Sequence, residues 1–499
     1  MKRSSATHHN GIPKSLILLT VIVGTFLGRL DQTIVNLALP KIINEFGITV
    51  SSAGWIATAY ILANAVFVPV WGKLGDMIGR KKVYVIGFTV FIIGSILAGL
   101  AWNLSSMIVF RIIQAIAGSA DYPTAMSIIA VTYTDDKERS QALGIWSSSF
   151  AAAAVFGPLI GGPLIDHFGW RSVFLINLPV GIVGLLMAMA FIYESRSEND
   201  RKIFDLKGAL VLGVSLSALV LVLDKGLDWG WLSLNSFLCY VTVLVTLLYF
   251  ISIEWNHPEP IVDLKFFRNS VFVQALLNNF IVFMGMMGSI FLLPVFAQTF
   301  LGYDATQTGF LFMPMAFMMM LAAPIGGRLS DKVQPSYVIA ASTAIAALGL
   351  YFFAGLDARS GPMDIILPLG VMAFGIGFGM AQRTNIIAAA VPREEVGIAS
   401  SVLALARNIA GAFGIAVFGT MLQNSINSNV LSIARYSSFH GKSPAQYAQY
   451  IGLISLKAQI NAYNTVFIWS AFIVFIGAVL ALWIKSVKMD PGVKVHVEG

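Results

Sequence analysis

Charge and cysteine are both scarce in this 499-residue sequence. Only 11% of its residues are Asp, Glu, Lys or Arg, under half of the roughly 25% usual for a soluble domain. A water-facing globular surface is therefore excluded over most of the chain. The single cysteine, Cys239, lies in an apolar run, so neither an intrachain disulfide nor a multi-cysteine metal site can form. No His-Glu-x-x-His pattern is present, and no metal or cofactor is expected. The Gly-rich stretch 370–379 lacks a following Gly-Lys-Ser, which argues against a nucleotide site and against ATP as the energy source.

Apolar residues dominate instead, at 57% of the chain with a mean hydropathy of +0.78. After a polar, basic start (Met1 to Lys14), apolar sequence runs from about Ser15 to Leu39. That is too long for a signal-peptide core, so it predicts a retained first helix. Apolar stretches separated by charge or turn residues then predict fourteen membrane helices in all. An even number puts both termini on one side. Of the 32 Lys and Arg, 21 fall in the loops, tails and helix ends of that side and seven on the other, a bias that predicts cytoplasmic termini. The net charge of +7 is thus topological, and no nucleic-acid partner is expected.

The stretches group as six, two and six, with polar connectors near 194–207 and 254–270. The expected organisation is a six-helix half over 1–200, two additional helices over 201–262 and a second six-helix half over 263–499. A repeat supports it. Pro69-Val70-Trp71-Gly72-Lys73-Leu74-Gly75-Asp76 follows the second stretch, and Pro324-Ile325-Gly326-Gly327-Arg328-Leu329-Ser330-Asp331 follows the tenth. Both read P-x-x-G-[K/R]-L-x-D, the mark of two parallel halves. The segment 422–463 reads as a long loop, either a partly membrane-associated hairpin or an ordinary surface loop, with Ser443-Pro444 opening a helix-like piece.

The segment Gly72 to Lys82 (GKLGDMIGRKK) resembles the signature loop of the major facilitator superfamily. Leu30 to Pro40 (LDQTIVNLALP) and Gly157 to Pro163 (GPLIGGP), together with the fourteen spans, are similar to its drug:proton antiporter family. The resemblance implies an all-α exporter that rocks between inward-open and outward-open states, with protons and a small lipophilic substrate as its partners. It would act as a monomer in the lipid bilayer of a bacterial inner membrane and would not be an enzyme. An exporter of one metabolite, lipid or siderophore on the same fold is the alternative.

Ionisable residues inside the membrane cost about 2.5 kcal/mol or more each and mark candidate functional positions. Asp31 lies about 15 residues into the first helix and Arg111 about five residues from the outer end of the fourth. At about 1.5 Å per residue, both come to rest roughly 8 Å from the outer side of a core about 30 Å thick. Opposite charges at one depth suggest a pair, and the resemblance implies proton coupling there. Gln114 and Asp121 share a face of the fourth helix. Asp121 and Arg383, both in the inner half, depart from the family pattern and are expected, with Gln114 and Asn36, to line a substrate cavity.

Gly72, Asp76, Gly79, Arg80 and Lys81 match the loop that latches the two halves on the cytoplasmic side in the family. Gly157, Pro158, Gly161 and Gly162 match the motif it associates with exporters. Arg29 points nearly opposite to Asp31 and requires a partner in a neighbouring helix. Arg407, near the middle of the thirteenth helix, suits a structural network.

Overall fold

Lipid offers no hydrogen-bond partners, so a spanning chain must satisfy its peptide groups internally, and here it does so with helices. The computed structural model describes residues 12–133, 135–195, 205–257, 260, 262–329, 333–391, 396–436 and 443–484. They form sixteen α-helices: α1 Lys14–Phe46, α2 Val50–Ile78, α3 Arg80–Gly99, α4 Leu104–Gly118, α5 Asp121–Thr132, α6 Asp136–Phe168, α7 Ser172–Leu175, α8 Asn177–Phe191, α9 Leu206–Trp229, α10 Leu234–Asn256, α11 Ser270–Phe300, α12 Ala305–Leu329, α13 Pro335–Phe352, α14 Met363–Ala389, α15 Val396–Tyr436 and α16 Pro444–Ala481. Local signals set their ends. Gly47 (φ 62°) closes α1 in the left-handed conformation, and the Thr49 hydroxyl caps α2 by accepting from the Ser52 N–H at 3.1 Å. Asn103 and Ser106 form a reciprocal cap on α4.

Among the described residues, twelve helices are long and apolar enough to cross a membrane. The expected fourteen differs by α6 and α9. Helix α6 is 33 residues long but begins Asp-Lys-Glu-Arg and is rich in Gly, Pro, Ser and Ala, which dilutes its hydropathy. The apolar part of α9, Lys207–Leu223, falls just short of the roughly 20 residues a span requires. The single fourth span divides into α4 and α5 at Ser119 and Ala120. The segment 422–463 is mostly not a loop: α15 runs on to Tyr436, and α16 starts at Pro444 behind a Ser443/Gln446 capping box.

Two faces can be told apart by their contacts. On the near face, where α1 begins, Lys14 pairs with Glu138 at the start of α6 at 2.7 Å. On the far face, α6 ends against the start of α12, where Asp166 accepts from the Thr306 N–H at 2.9 Å. One apolar cluster joins the two halves, packing Ile34, Leu37 and Ile42 with Phe291, Leu292 and Phe296. Another stays within the first six helices, around Val21, Phe88, Ile129 and Trp146, and a third packs Phe272, Ile339, Ile386 and Leu403 with Leu212 of α9 and Phe250 of α10. Helix α9 packs on α2 and α15, while α10 packs chiefly on α9 and exposes Leu244, Leu248 and Trp255.

Candidate functional site

Five helices deliver one buried polar network to the interior of the first half. Arg111 of α4 donates from Nη1 to Asp31 Oδ2 of α1 at 2.6 Å and to Gln114 Oε1, one turn on, at 2.7 Å. The other carboxylate oxygen, Oδ1, accepts from Gln114 Nε2 at 3.0 Å and from Asn177 Nδ2 of α8 at 2.8 Å. Ser95 Oγ of α3 accepts from the same two amides at 3.0 and 2.8 Å and donates to the Phe174 carbonyl at 2.9 Å. The Tyr60 ring of α2 lies 4.1 Å from the Arg111 guanidinium carbon, a cation-π contact that helps hold a desolvated cation.

Asp31, Gln114, Ser95 and Asn177 are fully buried and Arg111 is 1% exposed. A buried pair this well bonded is strongly destabilised when one partner is lost, because the remaining charge stays uncompensated. Glycine makes the geometry possible: a Cβ on Gly94 would come within 2.9 Å of the Gln114 backbone, so α3 and α4 approach closely only because the atom is absent. Sequence reading paired Asp31 with Arg111 but missed Ser95, Tyr60 and Asn177. Asn177 carried a usable signal, as an amide between apolar Ile176 and Leu178-Pro179.

Asp121 and Arg383 do not meet. Asp121, at the start of α5, accepts from Thr25 Oγ1 of α1 at 2.6 Å, and Thr25 Oγ1 in turn accepts from Trp146 Nε1 of α6 at 2.9 Å. Arg383 of α14 is 1% exposed and donates only to neutral acceptors: Asn278 Oδ1 of α11, Ser342 Oγ and Thr343 Oγ1 of α13, each at 2.8 Å, and the Ile376 carbonyl at 3.3 Å. Each charge is thus held inside its own half, away from the other. Gln114 belongs to the Asp31 network, and Asn36 is half-buried on α1 outside it.

Arg29 donates to Gln32 one turn along its own helix at 3.2 Å. Arg407 reaches Asn279 Oδ1 at 3.4 Å and Thr384 Oγ1 at 3.3 Å and lies 4.9 Å from the Phe283 ring centre, consistent with the expected network.

The loop after α2 bonds to the end of α8 in the same half. Arg80 N–H donates to the Ser195 carbonyl at 3.0 Å, Lys81 N–H to Glu194 Oε1 at 3.2 Å and Lys81 Nζ to the Met189 carbonyl at 2.6 Å. Gly79 turns there at φ 116°, and Gly72 faces Pro123. The Asp76 side chain lies outside the described residues.

Of the motif glycines on α6, Gly157 and Gly161 pack on α1 and Gly162 packs on α12. A Cβ on Gly157 or Gly161 would collide with Thr33 or Ile34 of α1, and one on Gly162 with the Thr306 backbone of α12. Gly309 of α12 packs on the Pro158 carbonyl. Beside them Asp166 accepts from the N–H groups of Ala305 and Thr306 at 3.2 and 2.9 Å, from Thr306 Oγ1 at 2.8 Å and from Lys41 Nζ at 3.1 Å. Gln298 of α11 adds a bond to the Leu37 carbonyl at 3.0 Å. The far face is therefore tied across the halves.

Residues 21–415 match the model of the Major Facilitator Superfamily. The chain is 30% identical to the multidrug transporter protein MdtP of Bacillus subtilis, covering 96% of this chain and 94% of that one. It is also 30% identical to the riboflavin transporter RibZ of Clostridioides difficile, covering 83% and 90%. Its backbone superposes with a TM-score of 0.68 on the crystal structure of a bacterial homolog of the human lysosomal transporter Spinster in an inward-facing and occupied conformation, at 18% identity over 94% of this chain and 96% of that one.

Proposed function

The chain belongs to the major facilitator superfamily, and from that premise we propose that it is a proton-coupled exporter of lipophilic or cationic drugs. Similarity to MdtP along nearly the full length of both chains supports drug efflux. The observation that carries the coupling is the Asp31–Arg111 pair, sealed from water in a helical membrane protein with both carboxylate oxygens of Asp31 hydrogen-bonded. Protonating Asp31 would turn an acceptor of three donors into a neutral acid. The Arg111, Gln114 and Asn177 contacts would weaken together, on three helices counting α1. A single proton would thereby alter the packing of the first half, which is what a rocking exchanger requires. No step here needs covalent chemistry, so we assign transport rather than catalysis.

The joined far face and the separate near-face clusters fit a state open toward the near face. We assign the near face to the cytoplasm from the charge bias, with both termini there and α6 and α9 completing fourteen spans in a bacterial inner membrane. The two halves, 1–200 and 263–499, would rock as units around a cavity to which Asn36 belongs, with 201–262 as an addition. A monomer contains every residue invoked. Similarity to RibZ favours a second reading, export of one metabolite, and a panel with a single transported compound would select it.

The deciding experiment is ethidium transport in proteoliposomes with an interior pH dye. Wild type should release protons on ethidium uptake, and Asp31→Asn should lose that release. Undiminished proton movement in the variant would refute the assignment of Asp31.

A further inference from the structure

Asp121 carries a buried carboxylate oxygen that the Asp31 network does not use. Its two oxygens have unequal surroundings. Oδ2 accepts from the Thr25 hydroxyl at 2.6 Å, at the end of the chain that begins at Trp146 Nε1. Oδ1 is buried and accepts from nothing. The Tyr84 phenol of α3 stands within hydrogen-bonding reach of the carboxylate, but its O–H is aligned on the Thr20 carbonyl at 3.3 Å, so it serves Asp121 only by turning away from Thr20. An unbonded carboxylate oxygen shut away from water is costly, and such an orphan calls for a ligand.

The space around it is shaped for a small ligand. Asp121, Gly24, Gly28, Gly87, Gly118 and the aromatic rings of α3 enclose a cavity with about 20 Å³ open to the centre of a water molecule, which is room for about one. The glycines keep it open: a Cβ on Gly24 would strike the Tyr84 hydroxyl and stand 3.0 Å from Asp121 Oδ1. The cavity is too small for a drug, and its walls offer a metal ion one carboxylate and no further anionic ligand. Among the described residues no group of three metal-ligating side chains occurs. A proton delivered by water is the ligand that fits.

We propose that Asp121 is a second proton-binding site, on the near-face side of Asp31 and in series with it. Thr25, which holds Asp121, precedes Asp31 by six residues on α1, a rise of about 9 Å along the helix axis. Binding converts the Oδ1 carboxylate to the neutral acid by forming an O–H bond, with hydronium giving up the proton and leaving water. Release reverses this on the near-face side. The groups facing the site are Arg29 of α1, one turn beyond Thr25, Tyr84 of α3, Tyr60 of α2 across Gly118, and Tyr122 beside Asp121 itself. Arg29 is the cation among these groups. The inference rests on the proton-coupled reading above but concerns a different residue.

The test is a pH-difference infrared spectrum of the full-length protein in liposomes, with no drug present. Wild type should show a carboxylic acid band that Asp121→Asn removes and Asp121→Glu shifts, while Asp31→Asn leaves it in place. Proton uptake per protein across the titration should fall by about one in Asp121→Asn, the single proton an acid group holds. Superimposable spectra for wild type, Asp121→Asn and Asp121→Glu would overturn the proposal. An Asp121 band in a protein that shows no ethidium-evoked proton movement would leave this site standing and refute the coupling reading instead.

Discussion

Asp121 and Arg383 bond away from each other, each into its own group of helices. Each lies on the fourth span of its half and is anchored to the first, Asp121 by Thr25 of α1 and Arg383 by Asn278 of α11. Neither has an oppositely charged side chain within ion-pair distance. The fourth spans thus carry opposite charges, each anchored to the first span of its own group, so a repeat of helix order does not entail a repeat of chemistry.

Arg383 depends on neutral partners, which makes Asn278 more important than an ordinary buried amide. It gives Oδ1 to the guanidinium while donating from Nδ2 to Gly477 at 2.9 Å and Thr343 at 3.2 Å. Asn278→Ala should lower stability by about 1.5–3 kcal/mol, the range for a hydrogen bond to a charged group. The thermal unfolding midpoint in detergent measures this. An unchanged midpoint would show that water replaces the amide and that the Arg383 site is wetter than its burial indicates.

Arg111→Lys keeps the charge beside Asp31 and removes the rest. Both bonds come from the one Nη1, and the shorter, more flexible ammonium arm loses the rigid plane that aims it at Asp31 and Gln114 and stacks on Tyr60. We expect normal expression and at least about a tenfold loss of proton-coupled ethidium transport, since about 1.5 kcal/mol of charged hydrogen bonding disappears. Wild-type transport in this variant would mean that charge alone matters at the position.

Much of this architecture was legible in the chain because lipid imposes simple rules. Apolar runs gave the helices, and a depth estimate from helical rise brought Asp31 and Arg111 together before any coordinates. Three things were not legible, for different reasons. Ser95 and Asn177 are small polar residues whose role depends on which helices pack together, and a single sequence does not state that. Asp121 and Arg383 carry opposite charges at similar depth, and depth does not reveal that each side chain turns into its own half. The length of α15 and α16 beyond the apolar core was hidden because a helix that leaves the membrane loses its hydrophobic signal but not its hydrogen bonds.

Gly162→Leu tests the contact between halves directly. Helix α6 meets the Thr306 backbone with no room for a Cβ, and overpacking of this kind costs about 1–3 kcal/mol. The cost is borne by the far-face join rather than by either half. Hydrogen exchange at the amides of 305–309 should therefore rise, while exchange within α3 and α4 stays the same. A uniform increase across the protein would indicate general destabilisation instead.

Asp166 gives the join a defined pH response. It lies near the end of α6, after the last apolar run Pro163-Leu164-Ile165 of that helix. Partial burial alone would raise its pKa above the ordinary 3.8, but donation from the Thr306 hydroxyl and N–H, from Lys41 and from the Ala305 N–H outweighs this and holds the carboxyl below that value. A folded-state pKa below the unfolded one means that the carboxylate's contribution is complete above the unfolded value and is lost as pH falls through the folded one. Corrected for intrinsic rates, exchange of the Ala305 and Thr306 amides should therefore stay flat from neutral pH down to about 4, the ordinary carboxylate range, and rise only below it. In Asp166→Asn the protection should be reduced at every pH, because the neutral amide is a weaker acceptor for the helix N-terminus and for Lys41. If the variant keeps full protection, the Gly162 and Pro158 packing alone holds the far face shut. The flat region also carries a consequence for coupling: Asp166 stays ionised across the pH range in which a cell works, so a proton gradient must act on carboxylates deeper in the membrane.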